Sequence, residues 1–120
     1  MIANFDSYFA AIVVALLASV LWAGASRHLT GIASWYGEEC RGKIMANGKP
    51  FDPDALTCAS WHYPFGAKLR VTNNETGCWV IVEVCDRGPA KRLNRLIDLS
   101  KAAFANIADT RKGLIKVKVS

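Results

Sequence analysis

Apolar and polar residues alternate along two stretches of the chain, AKLRVTN at 67–73 and LIKVKVS at 114–120. An alternation of period two is typical of strands with one buried face. Between them lies WVIVEVCDRGP at 79–89, in which six of the first seven residues are apolar. A shorter apolar and aromatic run, GIASWYG at 31–37, is bounded by glycines. We predict an extended segment in each of these four stretches.

A single helix is predicted near the C-terminal end. Ser100 is a good N-cap, and KAAFANIAD at 101–109 supplies an apolar stripe behind it. Gly113 would then end this helix. Several short strands with one short helix predict an all-β fold, a small barrel or sandwich. A closed barrel would also remove the exposed edges of the lysine-flanked strands.

The first 25 residues differ in composition from the rest. No charge occurs between Asp6 and Arg27, and Ala-Gly-Ala at 23–25 matches the A-x-A pattern of a signal-peptide cleavage site. Because no Lys or Arg precedes this segment, an uncleaved membrane anchor is the alternative. We predict that residues 1–25 are a signal peptide or an anchor and that residues 30–120 form the domain. Either would export the domain to the periplasm or the extracellular space.

The charge of the chain narrows the class of partner. All 15 Lys and Arg lie after residue 26, together with nine of the 10 acidic residues. This basic part should favour anionic surfaces, among them nucleic acid, cell wall and anionic lipid. The chain has no nucleotide-binding loop, metal-binding motif or Ser-His-Asp order, so we predict no cofactor and no metal.

Four cysteines, Cys40, Cys58, Cys78 and Cys85, fit a small domain in an oxidising compartment. A zinc site is disfavoured because neither C-x-x-C nor H-x-x-x-H spacing occurs. A bridge between Cys78 and Cys85 is disfavoured too, since the ends of an extended strand of that length lie about 23 Å apart. Two pairings remain open, 40–78 with 58–85 and 40–85 with 58–78.

Asp86 stands where the apolar stretch meets an Arg-Gly-Pro turn. In a regular strand it would follow Val80, Val82 and Val84 on the same, core-facing side. A carboxyl group partly removed from water holds its proton more readily, which suits a general acid. The alternative is an Asp that caps the turn by accepting backbone N–H bonds.

Several of these stretches, in this order, resemble the rare lipoprotein A family. The resemblance rests on the following segments: GIASWYG, ANGKPFD, TCASWHYPFGAKLRVTN, DRGP and RLIDLSKAAF. It covers roughly residues 31–119 and implies a six-stranded double-psi β-barrel, which is also similar to the barrels of expansins and barwin-like proteins.

The resemblance also implies an activity, because well-known members of the family are lytic transglycosylases of peptidoglycan. Asp86 would be the catalytic acid, first protonating the oxygen between N-acetylmuramic acid and N-acetylglucosamine and then taking a proton from the muramoyl C6 hydroxyl. One carboxyl group would serve for both steps. The partner would be peptidoglycan glycan strands rather than nucleic acid, with membrane contact only through an uncleaved anchor; the oligomeric state stays open.

One departure from the family pattern concerns a histidine. Ser60 stands where the family has a His, and His62 follows two residues later, on the same side of an extended chain. We therefore name His62 as a second catalytic candidate. Tyr36, Asn47, Ser60 and Arg87 are the candidates for substrate binding. The alternative function is a non-catalytic, expansin-like module that binds or loosens the cell wall.

Overall fold

A computed structural model describes residues 28–120 of the 120-residue chain. Six strands and one short helix make up most of this part. The strands are β1 Leu29–Tyr36, β2 Thr57–Ala59, β3 Lys68–Asn73, β4 Trp79–Asp86, β5 Ile97–Ser100 and β6 Ile115–Val119, and the helix, α1, is Lys101–Ile107. The predicted signal peptide or anchor at 1–25 lies outside the described residues.

The six strands close into a barrel in the order β1-β5-β2-β4-β3-β6. Two neighbouring pairs are parallel, β1 with β5 and β2 with β4, and the other pairs are antiparallel. The prediction of an all-β barrel with one short helix is confirmed.

Alternation of side chains along the strands fills the barrel. In β6, every second residue is buried and the lysines between them are exposed. The barrel core includes Val71, Val82, Val84 and Leu99, with Phe104 of α1 packed against them. Burial of these apolar side chains, at about 25 cal/mol per Å², is the main stabilising contribution to such a fold.

Helix α1 begins where the sequence predicts. The Ser100 side chain accepts a hydrogen bond from the backbone N–H of Ala103 at 3.2 Å, which makes it the N-cap. The helix ends earlier than predicted, at Ile107, and Gly113 instead follows the short 3-10 helix Thr110–Lys112, with a φ of 70°. Within residues 28–120, no helix is both long and apolar enough to cross a bilayer.

Candidate active site

Three neighbouring strands bring two acidic residues to one face of the barrel wall. Ala59 of β2 is in register with Asp98 of β5 on one side and with Asp86 of β4 on the other. Adjacent strands lie about 4.8 Å apart, so the Cα atoms of the two acids are separated by roughly 10 Å across a methyl side chain. The small Ala59 leaves the space between the two carboxyl groups open.

An irregularity in β4 sets the direction of Asp86. Cys58 pairs with Val84, but the next residue of β2, Ala59, pairs with Asp86 rather than with Cys85. This extra residue in β4 is a β-bulge, a feature that often redirects a side chain beside an active site. The predicted regular strand, with Asp86 continuing the row of core-facing valines, is therefore wrong at its last two residues. Asp86 instead joins the group of side chains on the outer side of the wall.

The carboxylate of Asp86 also holds the turn that comes after it. Its Oδ1 accepts hydrogen bonds from the backbone N–H groups of Ala46, at 2.9 Å, and Arg87, at 2.8 Å. The turn-capping role considered from the sequence is thus present. Asp86 nevertheless stays accessible to a ligand, because it is only half-buried and lines an open hollow.

Asp98 is also half-buried. Its Oδ1 accepts a hydrogen bond from the hydroxyl of Ser34, the residue opposite it on β1. Burial raises the pKa of Asp98 above its ordinary value, and the negative charge of Asp86 acts in the same direction. The Ser34 bond and the charge of Arg95 oppose this rise in the pKa without cancelling it.

A hollow of about 360 Å³, open to solvent on one side, lies over these two acids. Its aromatic wall is the ring of Tyr36 stacked on Phe51, with the ring centres 4.3 Å apart. The Tyr36 hydroxyl is buried without a hydrogen-bond partner, and burial raises its pKa, so the phenol stays protonated. The other lining residues are Cys40, Lys43, Ile44, Met45, Ala59 and Arg87.

Arg87 borders the hollow, but its guanidinium is engaged elsewhere. Nη1 donates to the backbone carbonyls of Ser60, at 2.9 Å, and Tyr63, at 2.8 Å. The guanidinium also stacks on Phe65, 3.9 Å from the ring centre. These contacts fasten the turn after β4 to the loop after β2.

The structure does not bring His62 to Asp86. His62 is exposed and lines a separate hollow on the barrel, beside Arg95. Ser60 is buried, and its Oγ accepts a hydrogen bond from the backbone N–H of His62 at 3.1 Å rather than facing the acids. Asn47 lies in the adjoining loop, where its side chain accepts a bond from the backbone N–H of Lys49 at 3.0 Å. Of the predicted site residues, Asp86, Tyr36 and Arg87 meet at one hollow.

The predicted disulfides are absent, and all four cysteines are free. Both predicted pairings joined Cys78 to Cys40 or Cys58. Cys78 is exposed just before β4 begins, whereas Cys58 pairs with Val84 near the end of β4, about 20 Å along the strand. Cys40 packs on the cluster that contains Cys85, at that same end. Cys78 is thus out of reach of either partner, since bridged Cα atoms lie within about 7 Å.

Among residues 28–120, no group of three or more His, Cys, Asp or Glu side chains is arranged to hold a metal ion. Asp86 and Asp98 are thus a pair of acids and not part of a larger cluster of such side chains.

Asp98 is the main site residue that sequence analysis missed. It lies within the RLIDLSKAAF segment, but the motif alone gave it no role. A signal was present: Asp98 is the only charged residue of a short strand whose neighbours Ile97 and Leu99 are buried. A charged side chain that points away from two buried apolar neighbours must face either solvent or a functional site.

Residues 28–119 match the family model described as lytic transglycolase, which is built on the double-psi β-barrel. The chain belongs to this family. The resemblance found from the sequence motifs is thereby confirmed, and with it the double-psi form of the six-stranded barrel.

One relative in this family is the endolytic peptidoglycan transglycosylase RlpA of Neisseria meningitidis serogroup A, which is 42% identical over 90 residues. That similarity covers 75% of this chain but only 37% of the relative's length.

Two solved structures share the fold. The Streptomyces papain inhibitor has a TM-score of 0.61 at 28% identity, covering 78% of this chain and 94% of that one. The expansin of Clavibacter michiganensis has a TM-score of 0.60 at 25% identity, covering 78% of this chain and 50% of that one. The same barrel fold thus also occurs in a protein named a papain inhibitor and in an expansin.

Proposed function

We propose that this chain is an endolytic transglycosylase of peptidoglycan. The observation that carries the proposal is the position of Asp86, half-buried at the edge of an open hollow in a barrel of the lytic transglycolase family. The relative from Neisseria meningitidis that shares this domain is named an endolytic peptidoglycan transglycosylase. The substrate class is the glycan strand of alternating N-acetylmuramic acid and N-acetylglucosamine.

The reaction needs two proton transfers and no water. A carboxylic acid donates a proton to the glycosidic oxygen, and the bond from that oxygen to C1 of the muramoyl residue breaks. A carboxylate takes the proton of the C6 hydroxyl of the same muramoyl residue, and O6 bonds to C1 to close an anhydro ring. Positioned acids and bases of this kind accelerate reactions by about 10²–10⁴-fold each.

The walls of the hollow suit a sugar that carries a carboxylate. The ring of Tyr36, supported by Phe51, offers an aromatic surface to the apolar face of a pyranose. Lys43 borders the same space and supplies positive charge for the lactyl carboxylate of muramic acid. A glycan strand crossing the hollow would therefore pass over both acids.

We place this activity outside the cytoplasm, because peptidoglycan lies in the cell envelope. Export by the predicted N-terminal segment, as a cleaved signal or as an anchor in the membrane, belongs to the same proposal.

A product assay tests the proposal. The full-length chain is incubated with purified glycan strands, and the new ends are identified by mass spectrometry. Wild type is expected to produce anhydromuramoyl ends, and Asp86→Asn, which keeps the shape of the side chain but cannot transfer the proton, is expected to lose at least about 100-fold of the rate. Glu75→Gln, an exposed acid in the turn before β4, is the matched control and is expected to cleave like wild type.

The second candidate function is a non-catalytic module that binds the cell wall. Ser60 favours it, since a buried serine replaces the family histidine and His62 lies at another hollow. Similarity to an expansin fold is consistent with it. This function would be supported if the wild-type chain bound the strands in a pull-down while producing no new ends.

A further inference from the structure

We infer that the two proton transfers are divided between two carboxyl groups, with Asp98 as the general acid and Asp86 as the general base. This inference rests on the proposed transglycosylase function and changes its catalytic assignment, because the family resemblance implied that Asp86 serves both steps. It adds Asp98 as a catalytic residue that would contact the glycosidic oxygen.

The register of the barrel wall places the two groups on opposite sides of one small gap. Both acids are paired with Ala59, and both line the same hollow. In glycosidases, a pair of carboxyl groups likewise flanks the bond that breaks. The methyl group of Ala59, between the two acids, is small enough to leave that position to the substrate.

The turn after β4 closes over Asp98. A Cβ atom placed on Gly88 would lie 3.5 Å from Asp98 Oδ2 and 3.4 Å from the Cβ of Ala59. These are ordinary van der Waals distances, so the turn packs directly against one side of the acid and covers it from water. Asp98 keeps the other side open to the hollow.

The charged and titratable groups around Asp98 lie on β1, on β4 and just before β5, and Lys43 and Arg87 line the same hollow. Tyr36 lies on β1 with the donor Ser34, Asp86 lies on β4, and Arg95 precedes β5. The balance of these groups and of burial raises the pKa of Asp98, which favours the protonated form that an acid needs.

The surroundings of Asp86 suit the opposite role. Two backbone N–H groups donate to its Oδ1, and such bonds are stronger when the acceptor is an ionised carboxylate. Two identical side chains with different surroundings are the arrangement from which acid and base roles are assigned.

The step then balances without a further reactant. The proton of Asp98 passes to the oxygen of the departing N-acetylglucosamine as the bond from that oxygen to the muramoyl C1 breaks. The proton of the muramoyl C6 hydroxyl passes to Asp86 as O6 bonds to C1. Asp86 is then protonated and Asp98 ionised, and a proton transfer from Asp86 to Asp98 through the hollow restores the starting state.

A leaving group that needs no proton separates the two roles. The full-length chain and its Asp98→Asn and Asp86→Asn variants are compared on glycan strands and on the dinitrophenyl glycoside of the N-acetylglucosaminyl-N-acetylmuramic acid disaccharide. We expect Asp98→Asn to lose about 100-fold or more on strands but to stay within about tenfold of wild type on the dinitrophenyl substrate. Asp86→Asn should lose activity on both the strands and the dinitrophenyl substrate. Glu75→Gln should keep wild-type activity on both.

A second variant tests Asp98 without removing it. The Ser34 bond lowers the pKa of Asp98, so Ser34→Ala is expected to move the alkaline limb of the pH–rate profile to higher pH. A merely structural role of Asp98 would leave that limb in place.

The outcomes distinguish the inference from the function on which it rests. If wild type produces no anhydromuramoyl ends, both fail. Only the division of roles is overturned if wild type is active and Asp98→Asn either cleaves strands at the wild-type rate or loses activity on both substrates by the same factor. An unmoved alkaline limb in Ser34→Ala also overturns it.

Discussion

Asp86 and Asp98 show how far the surroundings of a side chain decide its chemistry. Both are aspartates that border the same hollow and pair with the same alanine. Asp86 accepts hydrogen bonds from two backbone N–H groups beside a turn, whereas Asp98 accepts one from the hydroxyl of Ser34. Environment, rather than residue type, separates the two proposed roles.

The raised pKa of Asp98 has a consequence for stability. Because the folded state keeps a proton that the unfolded state has already lost, stability falls as the pH rises from the ordinary aspartate range through the raised pKa. Asp98→Asn carries no charge and escapes this loss. We expect the variant to be more stable than wild type at neutral pH, with the difference shrinking as the pH falls below that range.

Urea unfolding at a series of pH values measures the difference in the free energy of unfolding between the variant and wild type. The sign of that difference at neutral pH tests the prediction. Glu75→Gln again controls for the loss of one negative charge. A variant less stable than wild type at neutral pH would show that the charged form of Asp98 is stabilised by the fold, contrary to the raised pKa. Greater stability together with lost activity would be the usual cost of a functional acid.

At the scale of single elements, β4 and α1 show what periodicity predicts and what it misses. The alternation of β4 was recognised, but the bulge that turns Asp86 outward adds one residue and leaves no mark in the apolar pattern. The helix was found from its cap and its apolar stripe, since both are local features. Strands β2 and β5, of 3 and 4 residues, are too short for periodicity to identify.

The cap of α1 is expected to contribute measurably to stability. Ser100 accepts a bond from the backbone N–H of Ala103 and donates one, at 2.6 Å, to the backbone carbonyl of Ala55. Ser100→Ala removes both bonds and leaves a carbonyl unpaired, so we expect a loss of about 1–3 kcal/mol in the free energy of unfolding.

Denaturant titration checks this value. Asn106→Ala is the matched control, because its side chain bonds to the carbonyl of Ala102 on the exposed side of the same helix. That change should stay within about 0.5 kcal/mol. Equal losses in the two variants would mean that the buried cap contributes no more than an exposed bond does.

At the scale of the whole molecule, closure of the barrel creates the site. Residues far apart in the chain, Tyr36, Ala59, Asp86 and Asp98, become neighbours only because β1, β5, β2 and β4 lie side by side. The sequence motifs identified the family and made Asp86 a catalytic candidate. They could not show that Asp98 lies two strands away from Asp86, nor that His62 is turned to another hollow, because both depend on the order of the strands. The cysteines, interpreted by number and spacing alone, gave a wrong prediction for the same reason.

The central claim is that this barrel cleaves glycan strands by attack of the sugar's own C6 hydroxyl. It is tested most directly by digesting purified strands with the full-length chain in water labelled with heavy oxygen and analysing the new ends by mass spectrometry. The account predicts anhydromuramoyl ends that contain no heavy oxygen. New ends that carry heavy oxygen would mean that water is the nucleophile, and would contradict it.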